Sequence, residues 1–175
     1  MNRRVKPDFL AVGHVTRDRV PRGFVWGGAV TYGALTALRL GLQPAVVTSA
    51  SSDLDVNSAF VGIPAHVVPS DATTTVHNQY RPKRRSQVLE SAADPISFPD
   101  VPDEWRSAPT VLLCPVAGEI GTELVQGFSD SLVMASLHGW LRTWDGLAGG
   151  IGMARMFYRT SMPQPHRART SKTRT

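Results

Sequence analysis

Short apolar runs recur along the chain, each the length of a buried strand, with polar or small-residue stretches between them. Phe9–Val12 is the first and ends at Gly13. Ala45–Ser49, Gly62–Val68, Thr110–Cys114 and Leu132–Leu137 repeat the pattern. Uninterrupted apolar runs of this kind suit strands buried on both faces, as in a parallel sheet. Between the first two lies a different period. Val30, Ala34, Ala37, Leu38 and Gly41 fall at helical spacing, widened by Leu35, after the pair Gly27–Gly28. A strand, this helix and a second strand joined through Gln43–Pro44 make a right-handed crossover between parallel neighbours. The alternation predicts an α/β fold: a parallel sheet with helices on both faces.

One region breaks the pattern. Residues 73–91 are β-branched and polar, with Arg81-Pro82-Lys83-Arg84-Arg85 in the middle. They read as an antiparallel hairpin with a basic tip, too polar for a core and suited to a lid. The tip reads as a solvated turn rather than a nucleic-acid contact, because no aromatic residues interleave it. Residues 94–109 hold Pro95, Pro99, Pro102 and Pro109 and read as a surface connection with one turn at 103–105. Residues 118–128 read as a weak helix on Ile120, Leu124, Val125 and Phe128.

Charge changes the picture at one end. Residues 146–175 carry six of the 19 Lys and Arg and none of the 14 acids, so the body is close to neutral. The high basicity therefore belongs to a tail and says little about the ligand of the fold. From Arg159 onward almost nothing is apolar, which predicts disorder. The missing acids and repeated Arg-Thr read as a truncated or frame-shifted end. Residues 1–145 are thus expected to form the folded part. The single Cys114 excludes an intrachain disulfide and reads as an inert core thiol. The five histidines never stand at metal-ligand spacing, no run approaches a membrane span, and no signal segment is visible. These features read as a cytoplasmic protein.

Candidate chemistry gathers near the first strand and the helix. Asp18 follows the carboxyl end of Phe9–Val12, where open α/β sheets bind ligands. Its carboxylate can accept hydrogen bonds from two hydroxyls of a polyol; the alternative is a turn aspartate paired with Arg17 or Arg19. Gly27 and Gly28 let backbone N–H groups approach a ligand at the positive end of the helix. Asp53 reads as a helix N-cap. Glu119 reads as a favourable charge at a helix N-terminus.

These residues carry a resemblance. Gly27, Gly28, Ala34, Arg39, Leu40 and Gly41 are similar to the first signature of the PfkB-type, ribokinase-like carbohydrate kinases, with Tyr32 where the family has Asn. Gly13 and Asp18 match the Gly and Asp of its Gly…Asn-x-Asp element, with Thr16 in place of Asn. The resemblance spans roughly residues 8–145, the first half of such an enzyme. It implies a ribokinase-like sheet truncated on its C-terminal side, with residues 19–26 and the Thr-rich hairpin forming a β lid that also makes a dimer contact. It implies that Asp18, Gly27, Gly28 and Glu119 bind substrate, with Asp53 a further positioning candidate. It implies phosphoryl transfer from ATP with Mg²⁺ to a sugar, nucleoside or inositol. The second signature, Asp-Thr-x-Gly-Ala-Gly-Asp, with the anion hole and catalytic base, does not occur in the chain, nor does the Asn-x-x-Glu element linked to Mg²⁺. No catalytic residue is therefore assigned. Three readings stand: the substrate-side half of a small-molecule kinase, a non-catalytic module binding a polyol or a partner, and an unrelated nucleotide-binding domain with a nucleic-acid-contacting tail.

Overall fold

A computed structural model of the chain describes residues 6–81, 84–144 and 152–156. Five strands form one parallel sheet: β1 (Phe9–Val12), β4 (Pro44–Ala50), β5 (Ala65–Pro69), β8 (Thr110–Leu113) and β9 (Leu132–Ala135). Their order is β5-β4-β1-β8-β9, which puts β1 at the centre, as its apolar run predicts. All four β1 residues and all seven of β4 are buried, so both faces of these strands are covered.

The one long helix among the described residues, α1 (Ala29–Arg39), crosses over from the lid and packs on one face. Val30, Ala34 and Ala37 lie against Phe9, Ala11 and Val46. Leu38, included in the expected stripe, lies instead on the flank with 39% of its surface exposed. The helix closes in a Schellman arrangement. Leu42 N–H donates to the Ala37 carbonyl at 3.1 Å and Gly41 N–H to Leu38 at 3.0 Å, with Gly41 at φ 85°.

The opposite face buries Leu10, Val12, Ala45 and Val47 under Ile96, Val101, Trp105, Ile120, Leu124 and Phe128. Its cover is light: two 3₁₀ turns (Phe98–Asp100 and Asp103–Trp105) and the four-residue α2 (Leu124–Gly127). The helix expected over 118–128 is thus cut to its last turn. Ile120 instead bridges Ile96, and Gly118 holds a positive φ that no helix tolerates. Among the described residues β9 is an edge strand, with Leu132 and Met134 exposed.

The predicted hairpin is present as β6 (Thr75–Arg81) and β7 (Arg84–Ser91), and it stands outside the parallel sheet. It belongs to a second sheet ordered β10-β11-β7-β6-β2-β3. β2 (Thr16–Val20) and β3 (Gly23–Gly27) form its other hairpin; β10 (Arg142–Trp144) and β11 (Gly152–Met156) close the far side. Gly152–Met156, in the glycine-rich and basic stretch before Arg159, pairs antiparallel with β7 and β10. The rest of that tail and the hairpin tip at Pro82–Lys83 lie outside the described residues.

Candidate active-site cleft

The chain passes repeatedly between the two sheets, and the passages enclose a cleft of about 380 Å³. The lid contributes Thr16 and Asp18 from β2, Val76 from β6 and Gln87 from β7. The parallel sheet contributes Pro115 and Val116 after β8 and Ser136 after β9, followed by His138 and Arg142. Gly28, Ala29 and Tyr32 bring the first turn of α1 to the third side. Thr31 N–H donates to the Gly28 carbonyl at 3.2 Å, while the Ala29 and Val30 N–H groups, at the positive end of the helix, have no acceptor within the helix. The cleft therefore lies at the carboxyl ends of parallel strands.

Asp18 is held from two sides. Thr16 Oγ1 donates to its Oδ1 at 2.7 Å, and Asn78 Nδ2 to its Oδ2 at 3.3 Å. Gln87 Nε2 in turn donates to Asn78 Oδ1 at 2.6 Å. Neighbouring strands of the lid thus orient one carboxylate, which pairs with neither Arg17 nor Arg19. Arg17 reaches Asp53 at 2.9 Å and Arg19 reaches Glu90 at 2.7 Å.

Gly27 and Gly28 are required by this geometry. A Cβ on Gly27 would overlap the Asp18 carboxylate, and one on Gly28 would overlap the His14 carbonyl. Gly28 also sits at φ 85°, where side chains with a Cβ are strained. Tyr32, the departure from the family pattern, is exposed at the mouth of the cleft with its hydroxyl 3.4 Å from the Trp26 carbonyl.

Two expected site residues lie elsewhere. Glu119 does not line the cleft, nor does it begin a helix. It is buried behind the cleft wall, where Oε1 accepts from His14 N–H at 3.1 Å and Val116 N–H at 3.0 Å, and Oε2 from Ala117 N–H at 2.7 Å. Its carboxylate folds the loop after β8. Asp53 caps no helix; it is exposed and accepts from Ser51 and Arg17, which hold its carboxyl below the ordinary range. Asn78 and Gln87 escaped sequence reading because polar alternation on a lid strand looks like a solvent face. Their opposed register, Asn78 facing Gln87, becomes visible once the hairpin is paired. A larger cavity of about 480 Å³, at the ends of β4 and β5, is walled by Ser51, Asp55, Asn57, Asp71 and Asp94 and lacks the lid.

No family model and no curated protein matches the chain. Solved structures do. A sulfate complex of a pyrophosphate-dependent kinase in the ribokinase family superposes with a TM-score of 0.68 at 25% identity, covering 84% of this chain and 55% of that one. A pyrophosphate-dependent kinase in the same family, complexed with a pyrophosphate analogue and myo-inositol, gives 0.65 at 28% identity over 78% of this chain and 52% of the other. Ribokinase from Arabidopsis thaliana, complexed with ribose and ATP, gives 0.53 at 16% identity, over 75% and 53%.

The fold is ribokinase-like.

The chain spans about half the length of the solved structures it matches. The ribokinase-like parallel sheet and β lid are accordingly both present, with Asp18 and the paired glycines between them. The donor side is another matter. The glycine-rich anion-hole motif does not occur in this sequence, and among the described residues no three His, Cys, Asp or Glu converge, so no residue is assigned to a nucleotide or its magnesium. No step is derived through either group.

Proposed function

We propose that this chain is the acceptor-binding half of a ribokinase-like kinase and holds a polyol, an inositol or a sugar, between sheet and lid. The observation that supports this reading is Asp18, oriented by Thr16 and Asn78 in a cleft between the two layers. A carboxylate has about four acceptor positions. Two are taken by Thr16 and Asn78, and the remainder suit vicinal hydroxyls. The first turn of α1 suits the electron-rich oxygens of the same ligand. An inositol is favoured by similarity to the kinase solved with myo-inositol, and a pentose by similarity to the ribokinase solved with ribose. In those relatives the phosphoryl donor is pyrophosphate or ATP. For this chain we assign neither, and no residue to the base. Its lid is the surface we propose for a homodimer, and the cytoplasm its place of action.

Titration calorimetry of the purified chain with myo-inositol, ribose and fructose tests the reading. One of the three binding with one site per chain supports it; none binding contradicts it. The same protein with ATP or pyrophosphate and Mg²⁺ is expected to turn over none of them. General-base catalysis contributes about 10²–10⁴-fold and one anion-hole donor about 10²–10³-fold, and neither group is assigned here. Turnover near ~1 s⁻¹, ordinary for enzymes, would place a base and an anion hole in residues that hold none in this account.

A further inference from the structure

Behind the cleft lies a buried polar node that the binding of a polyol does not use. His14 is fully buried, at the point where β1 leaves the parallel sheet for the lid. Its Nε2 lies 3.0 Å from the Asp94 carbonyl, and its Nδ1 lies 2.7 Å from Thr74 Oγ1. A carbonyl only accepts, so the network assigns the ring hydrogen to Nε2, and Nδ1 accepts from the Thr74 hydroxyl. Thr74 Oγ1 accepts in turn from Ala93 N–H at 3.0 Å.

These contacts join four crossings of the chain between the two sheets. The first is His14's own, from β1 to β2. Thr74 belongs to the second, leading into β6, and Ala93 and Asp94 to the third, leaving β7. The fourth is Gly28, between β3 and α1, which has no room for a Cβ because the His14 carbonyl lies against it. Glu119 extends the node to the opposite wall of the cleft. It accepts from His14 N–H and also from Val116 and Ala117 N–H, and Val116 lines the cleft directly.

We propose that His14 is a positioning residue: with Thr74 and Glu119 it locks the lid to the loop after β8, and so fixes the distance between Asp18 and the Val116 wall. It touches no ligand in the cleft reading, on which the functional consequence rests. Removing its side chain leaves the buried Thr74 hydroxyl without the acceptor for its hydrogen and the Asp94 carbonyl without its donor, so both hairpin crossings loosen together.

Amide hydrogen exchange on the ligand-free protein tests this without reference to any substrate. H14A is expected to speed exchange in β6 and β7 by about tenfold or more, the scale of one or two lost buried hydrogen bonds, while β1, β4 and Val116–Ala117, whose bonds to Glu119 and through it to the His14 backbone N–H remain, keep their protection. H14Q carries an amide N–H that can donate to Asp94 in place of Nε2, and is expected to restore most of the protection. T74V, which keeps the side-chain volume, serves where H14A does not fold; it removes the hydroxyl shared by His14 and Ala93 and should loosen the same segments. In parallel, myo-inositol affinity should fall by several-fold in T74V and H14A and recover in H14Q. Unchanged exchange in β6 and β7, exchange raised equally in β1 and β4, or H14Q no better than H14A would each overturn the proposal. Wild-type protein that fails to bind myo-inositol, yet shows the exchange pattern, would count against the substrate reading and leave the lock standing.

Discussion

The parallel sheet and the lid are built from opposite kinds of strand. β1 reads Phe-Leu-Ala-Val and is buried throughout, while β2, one tight turn later, reads Thr-Arg-Asp-Arg-Val and buries only Thr16. The first has one task, to be covered on both faces, and its sequence is uniform. The second has a cleft on one side and solvent on the other, and its polar residues divide accordingly. Asp18 turns to the cleft with Asn78 behind it, whereas Arg17 and Arg19 turn outward to Asp53 and Glu90. A hydrophobic strand states where it goes; a polar strand states only that it alternates, and its neighbours decide which half of it is functional.

Substitutions of equal chemical size should therefore have unequal effects in the two regions. The largest is expected in β1. Leu10→Ala, at a fully buried site, should cost about 2–5 kcal/mol in denaturant unfolding, whereas Val25→Thr on the exposed face of β3 should stay within about 0.5 kcal/mol. Equal losses at the two sites would erase the contrast. Next comes the seam between the regions. Gly28→Ala combines a positive φ with overlap of the His14 carbonyl, and should lower the thermal midpoint by an amount equivalent to about 1–3 kcal/mol.

Cys114 sharpens the comparison from the core side. Burial, and secondarily the Glu119 carboxylate, push its thiol up to about 12. At neutral pH it should be protonated and should react with a disulfide reagent no faster than the protein unfolds. Fast labelling of native protein would show that the β8 end is open. The smallest effect belongs to the exposed ion pair between Arg17 of the lid and Asp53 in the loop after β4. Asp53 is held below the ordinary carboxylate range by Ser51 and then Arg17, so its contribution exists above the unfolded-state pKa and is lost as pH falls through the lower folded value. Because the pair is exposed, Asp53→Asn should shift the thermal midpoint slightly at pH 7 and not at all once the carboxyl is protonated.

The same contrast explains what was legible in the sequence. The five parallel strands, α1 and the hairpin at 73–91 follow from periodicity, because apolar burial imposes it. That Asp18 and Gly28 come together was legible because their spacing from β1 and α1 is local; their part in binding belongs to the proposal. Glu119 was placed correctly in the chain and wrongly in its role. A carboxylate that folds its own loop by accepting backbone N–H groups looks, in sequence, like one that precedes a helix. His14 carried no signal, since its side-chain partners lie 60 or more residues away, and Asn78 reaches Asp18 across the same separation. β11 was hidden by its surroundings, a short strand inside a glycine-rich and basic stretch.

The most direct test of the account is the difference in affinity between wild-type protein and Asp18→Asn for whichever polyol the calorimetric panel identifies. The substitution keeps the shape of the side chain and removes its charge and half of its acceptor capacity. The account predicts binding weakened by about 1–3 kcal/mol, the scale of a hydrogen bond to a charged group, with the thermal midpoint nearly unchanged. Equal affinity in the two proteins would contradict it.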